Sequence, residues 1–259
     1  MKKSTPLLPP FLKKIRFQRD KNINQDYPLN LPIFQHDFEI SLTQPVTIFV
    51  GENGTGKSTL IEYIANVCNF NLQGGSQDHI YQTKSLENHL TLQALKPYIC
   101  LSWLPKVSQG FFMRAETFYN FLEYIYDPEF SDMDYETGYG GYLLEKSHGE
   151  AFLSLFNHRF QRGGIYLLDE PEAALSPNRQ LAFLKTIRRL EQKRDTQIII
   201  ITHSPILMSY PGAQVLLFSH EGIRSCCVEE VENYQLMRDF LANPQKFLKK
   251  IMEDHPSII

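Results

Sequence analysis

The sequence predicts an α/β fold built on a mostly parallel sheet, because short strand-like runs alternate with helix-like segments. Five runs of nearly continuous apolar residues have the length of buried strands; they are Val46 to Val50, Tyr98 to Leu104, Ile165 to Leu168, Gln197 to Thr202 and Gln214 to Ser219. Between these runs, apolar residues recur at helical spacing in Leu60 to Cys68 and in Phe183 to Leu190. Such continuous hydrophobicity indicates strands that are covered on both faces, as in parallel sheets.

The chain has 259 residues, which is enough to bury a sizeable core as one domain with lobes. We expect a single domain over residues 1–259, with a helical subdomain at about 110–160 and a helical C-terminal segment at about 220–259. An aromatic-rich insert from Phe111 to Lys146 interrupts the alternation, and Arg114 to Tyr126 within it is predicted to be helical. The polar connector from Asn71 to about Leu95 is predicted to be a loop.

Composition excludes several classes of protein. Lys and Arg number 26 against 29 Asp and Glu, so the mean charge gives no sign of a nucleic-acid surface, although a local basic patch stays open. The four cysteines lack the spacing of a zinc site and are typical of reduced thiols in the cytoplasm. No apolar run approaches the roughly 20 residues of a membrane span, and Pro9 and Pro10 interrupt any secretory signal. We therefore expect a cytoplasmic protein that meets a membrane only through another chain.

The segment GENGTGKST, directly after the first predicted strand, has the spacing G-x-x-x-x-G-K-[ST] of a phosphate-binding loop. Its glycines let main-chain N–H groups approach phosphates, and the following helix adds the positive end of its dipole. Lys57 is expected to contact the β- and γ-phosphates, Ser58 to bind Mg²⁺, and Thr59 to lie near the α-phosphate. The predicted nucleotide contacts are Asn53, Gly54, Thr55, Gly56, Lys57, Ser58 and Thr59. The alternative is a glycine-rich turn that binds no ligand.

Two adjacent carboxylates follow the third predicted strand, where α/β sheets present groups to ligands. Asp169 is expected to hold Mg²⁺, directly or through water. Glu170 is expected to orient the attacking water or accept its proton, which points to hydrolysis. The alternative is a pair of solvated acids at a strand end. Glu172 is interpreted as a surface acid.

The segment KSHGEAFLSLF combines a capping box, Ser147 with Glu150, and an amphipathic helix. By its place ahead of Asp169 it resembles the signature sequence LSGGQ of ATP-binding-cassette (ABC) ATPases. His148 stands where that sequence has its first glycine, and Lys146 where it has leucine. In that family, the start of this helix binds the γ-phosphate of a nucleotide that the opposite subunit holds. The resemblance therefore implies that Ser147, Gly149 and Glu150 bind a partner's nucleotide.

Further motifs resemble the same family in the expected order. Asp169 and Glu170 match the Walker B motif and its catalytic glutamate, Ala174 to Ser176 match the D-loop, and His203 matches the switch histidine. The resemblance implies catalytic roles for Lys57, Glu170 and His203. Gln109 resembles the Q-loop glutamine that reaches Mg²⁺, and the alternative is a polar loop residue. An aromatic residue that stacks on adenine is expected among Phe17, Tyr27 and Phe34.

From about Phe34 to Phe218 the chain resembles compact, stand-alone ABC-type ATPases related to the SMC and RecF proteins. This resemblance implies a P-loop NTPase core with a mostly parallel sheet, antiparallel N-terminal strands and an inserted helical subdomain. It also implies ATP as substrate, Mg²⁺ as cofactor, and an ATP-dependent homodimer in which each phosphate-binding loop faces the partner's signature helix.

The biological setting stays open among three classes. The first is DNA maintenance, repair or defence, with DNA or a separate protein as partner. Within this class, a mechanism that uses long coiled-coil arms is excluded. The segments between Gln109 and Ser147 and between Asn71 and Leu95 are too short to hold such a coiled coil. The second is the nucleotide-binding subunit of a transporter. The third is a regulatory or toxin–antitoxin module with little turnover.

Overall fold

The computed structural model describes residues 8–20, 25–79, 91–127 and 139–254. The strands are β1 Leu12–Phe17, β2 Phe38–Ser41, β3 Val46–Gly51, β4 Ile99–Trp103, β5 Gly110–Arg114, β6 Gly164–Asp169, β7 Thr196–Ile201, β8 Gln214–Ser219 and β9 Gly222–Cys226. The α-helices are α1 Lys57–Val67, α2 Phe118–Tyr126, α3 His148–Arg159, α4 Pro177–Lys193, α5 Pro205–Met208, α6 Glu232–Ala242 and α7 Pro244–Asp254.

The main sheet has the strand order β5-β6-β7-β3-β8-β9. Strands β5, β6, β7, β3 and β8 pair in parallel, and β9 pairs with β8 antiparallel. The α/β fold with a mostly parallel sheet is thus confirmed. Because parallel strands align their carboxyl ends at one edge, this order brings the ends of β3, β6 and β7 side by side.

A second, smaller sheet has the order β2-β1-β4 and is antiparallel throughout. It confirms the antiparallel strands expected at the N-terminal side. The apolar run from Tyr98 to Leu104 does form a strand, β4, but it pairs with β1 rather than with the main sheet. The buried side chain of Gln197 in β7 joins the two sheets, since its Oε1 accepts bonds from the main-chain N–H groups of Phe11 at 2.8 Å and Leu12 at 2.9 Å.

The main sheet is covered on both faces by separate apolar cores. One core packs Val46, Ile48 and Val50 of β3 against α4 and the helical part of the chain. The other packs Phe49 of β3 against α1 and the small sheet. Alternate residues of one strand therefore serve two cores, which explains why its sequence is apolar without interruption.

Two predicted boundaries of helical parts are corrected. The subdomain expected at about 110–160 begins with a strand, β5, which forms the edge of the main sheet beside β6. The segment expected at about 220–259 also begins with a strand, β9, and becomes helical only at Glu232. In the aromatic insert, α2 follows a 3-10 turn over Ala115–Thr117, so the predicted helix is confirmed.

Aromatic side chains of the insert build the core of the helical part rather than a surface. Phe111, Phe118 and Phe121 are fully buried and pack with Phe152 and its neighbours, whereas Tyr119 is 49% exposed. Residues 128–138 of the insert and 80–90 of the predicted connector lie outside the described residues.

A buried histidine predicts a pH dependence of stability. The Nδ1 atom of His79 accepts a bond from the Ser76 N–H at 2.9 Å, and its Nε2 lies 2.7 Å from the Tyr139 hydroxyl. Burial, together with the charge of Arg159, lowers the pKa of His79 to about 4. The unfolded chain takes up this proton near pH 6.5 and the folded chain does not, so stability is lost as pH falls from about 6.5 to about 4.

We expect this histidine to cost up to about 3 kcal/mol of the free energy of unfolding by pH 4. Urea unfolding at several pH values, compared with His79→Gln, measures the effect. The variant is expected to be less stable at pH 7 but to lose less of its stability on acidification. Parallel pH profiles of the two proteins would contradict this account.

Candidate nucleotide-binding site

The loop between β3 and α1 can be built only with glycine at two positions. Gly51 has φ +132°, and a Cβ atom there would lie 2.0 Å from the carbonyl oxygen of Phe218 in β8. Gly56 has φ +109°, and a Cβ atom there would lie 2.7 Å from the Ile33 side chain. Both positions combine a left-handed backbone with a close neighbour, which is the physical reason for glycine in this motif. Thr55 also stabilises the loop by donating from Oγ1 to the Glu52 carbonyl at 2.9 Å.

The ammonium group of Lys57 is enclosed by this loop at the first residue of α1. Its Nζ atom donates to the carbonyl oxygens of Gly51 at 2.9 Å and Glu52 at 2.6 Å. Burial lowers the pKa of Lys57, and the charges of Glu170 and Asp169 oppose that shift. The negative charges of Glu170 and Asp169 therefore favour the charged form of this buried lysine. It lies at the helix start, where main-chain N–H groups also point outward.

Ser58 and Asp169 approach each other from two different elements. The hydroxyl of Ser58, in the first turn of α1, donates to Oδ1 of Asp169 at the end of β6 over 3.2 Å. Asp169 is only 4% exposed. The structure therefore brings together Ser58 and Asp169, two of the three residues for which metal binding is predicted.

An arginine that the sequence analysis did not select lies on the other side of Asp169. Arg114, the last residue of β5, donates from Nε at 3.0 Å and Nη2 at 2.9 Å to Oδ2 of Asp169. Its Nη2 also donates to Glu62 of α1. Burial alone would lower the pKa of Arg114. The negative charges of Glu62 and Asp169 together have the larger effect, so the pKa is raised. Burial raises the pKa of Glu62, against the effect of Arg114.

Glu170 and His203 stand at the ends of adjacent strands β6 and β7. Glu170 has a left-handed backbone, with φ 50° and ψ 53°, and its N–H donates to the Ile201 carbonyl at 3.0 Å. The Nε2 atom of His203 lies 3.7 Å from Oε1 of Glu170. Burial and the charge of Lys57 lower the pKa of His203, so the ring is neutral at pH 7. Among the described residues this buried Nε2 atom has no hydrogen-bond partner.

Glu172 is not a surface acid, and that interpretation is corrected. Its Oε1 accepts bonds from the main-chain N–H groups of His203 at 2.5 Å and Ser204 at 3.2 Å. Burial raises the pKa of Glu172, while these bonds lower it. On the other side of the same loop, Nδ2 of Asn233 in α6 donates to the His203 carbonyl at 2.7 Å. The histidine is thus held through its backbone from two directions.

Gln109 lies at the end of β5 opposite to the predicted metal ligand, and its assignment to the metal is corrected. It precedes β5, and its carbonyl accepts a bond from Ile165 N at the start of β6. Asp169 lies at the far end of β6, opposite Arg114. Five residues of strand span about 16 Å, so the two ends cannot share one ion. The strand end that faces Asp169 carries Arg114.

The predicted signature residues form the start of α3, where Ser147 and Glu150 are exposed and Gly149 is buried. Ser147 is the N-cap, and Glu150 accepts bonds from its N–H at 3.1 Å and its hydroxyl at 2.5 Å, which completes the capping box. Glu150 also pairs with Arg179 of α4 at 3.0 Å. Gly149 is buried so tightly that a Cβ atom would lie 2.8 Å from the Ala174 carbonyl. This helix start thus contacts α4 and the turn before it, and the ring of His148 also packs against Phe118 and Tyr119 of α2.

The structure also narrows the choice of the stacking aromatic. Phe17 and Phe34 are 0% exposed and belong to the core, whereas Tyr27 is 59% exposed. The Tyr27 hydroxyl lies 3.5 Å from Oγ1 of Thr59 in the first turn of α1. Of the three candidates, only Tyr27 offers a free ring beside the loop.

The donor set fits Mg²⁺ that is bound together with phosphates. Ser58 and Asp169 supply hard oxygen ligands, which Mg²⁺ prefers. Among the described residues no group of three or more His, Cys, Asp or Glu could hold a metal ion. A site with one carboxylate and one hydroxyl needs further oxygen ligands from a substrate, as is usual for Mg²⁺.

Two family models match the parts of the chain that carry this site. One, described as "AAA domain, putative AbiEii toxin, Type IV TA system", matches residues 151–209. Another, described as "AAA domain", matches residues 30–104. In both segments the chain therefore matches AAA-type P-loop domains. The second match contains the phosphate-binding loop, and the first contains Asp169, Glu170 and His203.

Two curated relatives are about a quarter identical to this chain over the aligned segments. It is 26% identical over 182 residues to the "Probable siderophore transport system ATP-binding protein YusV" of Bacillus subtilis (strain 168), covering 64% of this chain and 65% of that protein. It is 27% identical over 101 residues to the "Tungstate uptake system ATP-binding protein TupC" of Campylobacter jejuni, covering 33% of this chain and 30% of that protein. The chain thus spans less than two thirds of either relative.

Solved structures with a similar fold include a putative metal-chelate type ABC transporter in an inward-facing conformation, with TM-score 0.49, 16% identity and coverage of 89% of both chains. The SMC head domain from Thermotoga maritima has TM-score 0.46 and 17% identity, covering 83% of this chain and 98% of that one. Both TM-scores are below 0.5, so the likeness to these chains is partial. Within the described part of this chain, no helix is both long and apolar enough to cross a membrane.

Proposed function

We propose that this chain binds and hydrolyses ATP and uses the cycle to close and open a homodimer. The observation that carries the proposal is the convergence of Lys57, Ser58, Asp169, Glu170 and His203 at one edge of the sheet. A cation, a hydroxyl, two carboxylates and a neutral imidazole with a free nitrogen are the groups that phosphoryl transfer to water needs.

Each residue has a distinct role in the proposed reaction. Lys57 leaves its carbonyl partners and binds the β- and γ-phosphates. Glu170 orients the attacking water and accepts its proton, since its carboxylate lies beside the imidazole of His203. The unpartnered Nε2 of His203 donates to the γ-phosphate. Ser58 and Asp169 would hold Mg²⁺, which would neutralise charge on the phosphates.

The remaining parts of the nucleotide have partners in the same region. The exposed ring of Tyr27 stacks on adenine, a proposal supported by its position beside Thr59. Asn53 and Gly54 contribute from the loop itself, whose N–H groups surround the phosphates.

The second chain enters through the exposed start of α3. Gly149 and Glu150 lie against Arg179 of α4 in their own chain, and the N-terminal N–H groups of α3, which Ser147 caps, bind a γ-phosphate held by the partner. Each charge-assisted hydrogen bond to that phosphate contributes about 1.5–3 kcal/mol. Several such bonds are lost when the phosphate is cleaved, which is enough to reverse a dimer equilibrium.

A mixing experiment tests the shared site. Lys57→Ala disables the loop but keeps the signature helix, and Ser147→Arg does the opposite. Neither variant alone is expected to turn over ATP. In a one-to-one mixture half of the dimers carry both variants and have one complete site, so turnover is expected to recover to about a quarter of the wild-type rate if the two sites act independently.

The matched control mixes Lys57→Ala with the double variant Lys57→Ala/Ser147→Arg, in which no pairing gives a complete site. Circular dichroism and ATP binding by Ser147→Arg are expected to match those of the wild type, which checks that the capping change leaves the fold intact. A mixture that stays as inactive as its components, or a fully active Ser147→Arg protein, would contradict a site built from two chains.

For the biological setting we propose DNA maintenance, repair or defence, in a cytoplasmic chain that works as a single domain. Two observations favour other settings. The names of the curated relatives favour a transporter subunit, and the description of one family model favours a toxin–antitoxin component. Co-purification with a membrane protein would support the transporter. Tight ATP-dependent dimers with almost no turnover would support the regulatory module, and DNA-stimulated turnover that falls steeply with salt would support the first setting.

A further inference from the structure

Arg114 is placed where it controls the charge of the predicted metal site. Its guanidinium binds Oδ2 of Asp169 through two N–H groups, while Ser58 binds the other oxygen, Oδ1. Both oxygens of the Asp169 carboxylate therefore have a partner. Oδ2 bonds to the guanidinium of Arg114, and Oδ1 bonds to Ser58 in the helix that follows the phosphate-binding loop. This arrangement fixes the direction in which Oδ1 points.

The cluster around this carboxylate is shielded from water. The side chains of Arg114, Glu62 and Asp169 are 17%, 15% and 4% exposed. Glu62 lies one helical turn beyond Ser58 on the same face of α1, so it holds the guanidinium from the helix side. The single positive charge of Arg114 thus offsets the negative charges of Glu62 and Asp169, and Asp169 is itself a predicted metal ligand.

We propose that Arg114 is a positioning residue that sets the metal affinity of this site. It holds Asp169 toward Ser58, and its charge opposes a metal ion that arrives without phosphates. The inference rests on the proposed function, because it concerns the same metal site.

Two effects of the arginine have opposite signs. Orientation of Asp169 favours the metal, whereas a unit charge within about 5 Å of a divalent ion disfavours it. At an effective dielectric constant of about 20, the charge effect exceeds tenfold in affinity and outweighs the loss of one oriented ligand. A divalent ion is therefore retained only when the negative charge of the nucleotide accompanies it.

The test uses Mn²⁺ as the probe, with free Mn²⁺ measured by electron paramagnetic resonance in the nucleotide-free protein. Arg114→Gln is expected to bind Mn²⁺ at least about tenfold more tightly than the wild type, because it removes the opposing charge. Arg114→Lys keeps the charge and loses the two-pronged bond, so its affinity is expected to stay close to that of the wild type.

Glu62 supplies the matched control. Glu62→Gln removes a negative charge and is expected to weaken Mn²⁺ binding, whereas Arg114→Gln/Glu62→Gln keeps the net charge and is expected to return it to the wild-type level. Should Arg114→Gln fail to fold, the double variant compared with Glu62→Gln removes the same cation and is expected to show the same gain of about tenfold.

Arg114→Gln with affinity equal to or below that of the wild type overturns the proposal, as does a double variant no tighter than Glu62→Gln. Binding of a fluorescent ATP analogue with Mn²⁺ separates this failure from failure of the proposed function. A wild type that binds no analogue disproves the function. A wild type that binds it, together with an unchanged Arg114→Gln affinity, disproves only the role of Arg114.

Discussion

Glu170→Gln is expected to bind ATP normally and to lose about 10²- to 10⁴-fold in turnover, the usual contribution of a positioned general base. The amide keeps the size of the side chain and the backbone bond to Ile201, so the fold is unaffected. It cannot accept a proton from water. Without cleavage the γ-phosphate stays in place, and size-exclusion chromatography with Mg-ATP is expected to show an accumulated dimer.

A matched control is Glu123→Gln, which makes the same chemical change at an exposed position of α2. It is expected to turn over ATP and to elute like the wild type. Unchanged phosphate release by Glu170→Gln would remove Glu170 from the proposed mechanism, and a monomeric variant with bound ATP would separate hydrolysis from dimer control.

Lys57→Ala is expected to lose about a hundredfold or more in ATP affinity. The side chain is buried at the start of α1, so its ammonium group has no substitute within reach, and two or more charge-assisted bonds to the phosphates disappear. Equilibrium titration with a fluorescent ATP analogue measures the change.

Lys185→Ala provides the comparison, because Lys185 is an exposed lysine of α4 away from the loop. Its affinity for ATP is expected to match that of the wild type. Full nucleotide affinity in Lys57→Ala would contradict the phosphate-binding role of the loop and everything that is built on it.

The parts of the site that are continuous in sequence could be predicted. A strand, a glycine-rich loop and a helix follow one another at Gly51 to Lys57, and Asp169 directly follows an apolar run. In both cases the strand end determines where the functional group lies, so local spacing was sufficient. The sheet edge shared by β3, β6 and β7 followed from their parallel direction.

Contacts between distant segments could not be read in the same way. Glu172 is buried by the loop that carries His203, and no local pattern reveals that contact. The run at β4 is as apolar as a main-sheet strand, yet it pairs with β1. A strand pairs with a sheet edge that is open to it, and the hydrophobicity of its sequence does not reveal which edge that is.

The misplacement of Gln109 has a specific cause. The run Phe111 to Met113 resembles the rest of the aromatic insert in composition, although a glycine precedes it and a charged residue follows it, as in a strand that ends at a site. In the structure this run is β5, and the charged residue at its end is Arg114. Aromatic residues suit strands and helical cores equally well, and length gave no way to choose between them.

The bond from Asn233 to the His203 carbonyl gives the C-terminal helices a mechanical connection to the reaction. Helix α6 is otherwise largely exposed, so tension or a bound molecule that shifts it would be transmitted across one amide to the backbone of the imidazole. In the proposed mechanism such a shift would change the position of His203 relative to the γ-phosphate, and with it the rate of ATP cleavage.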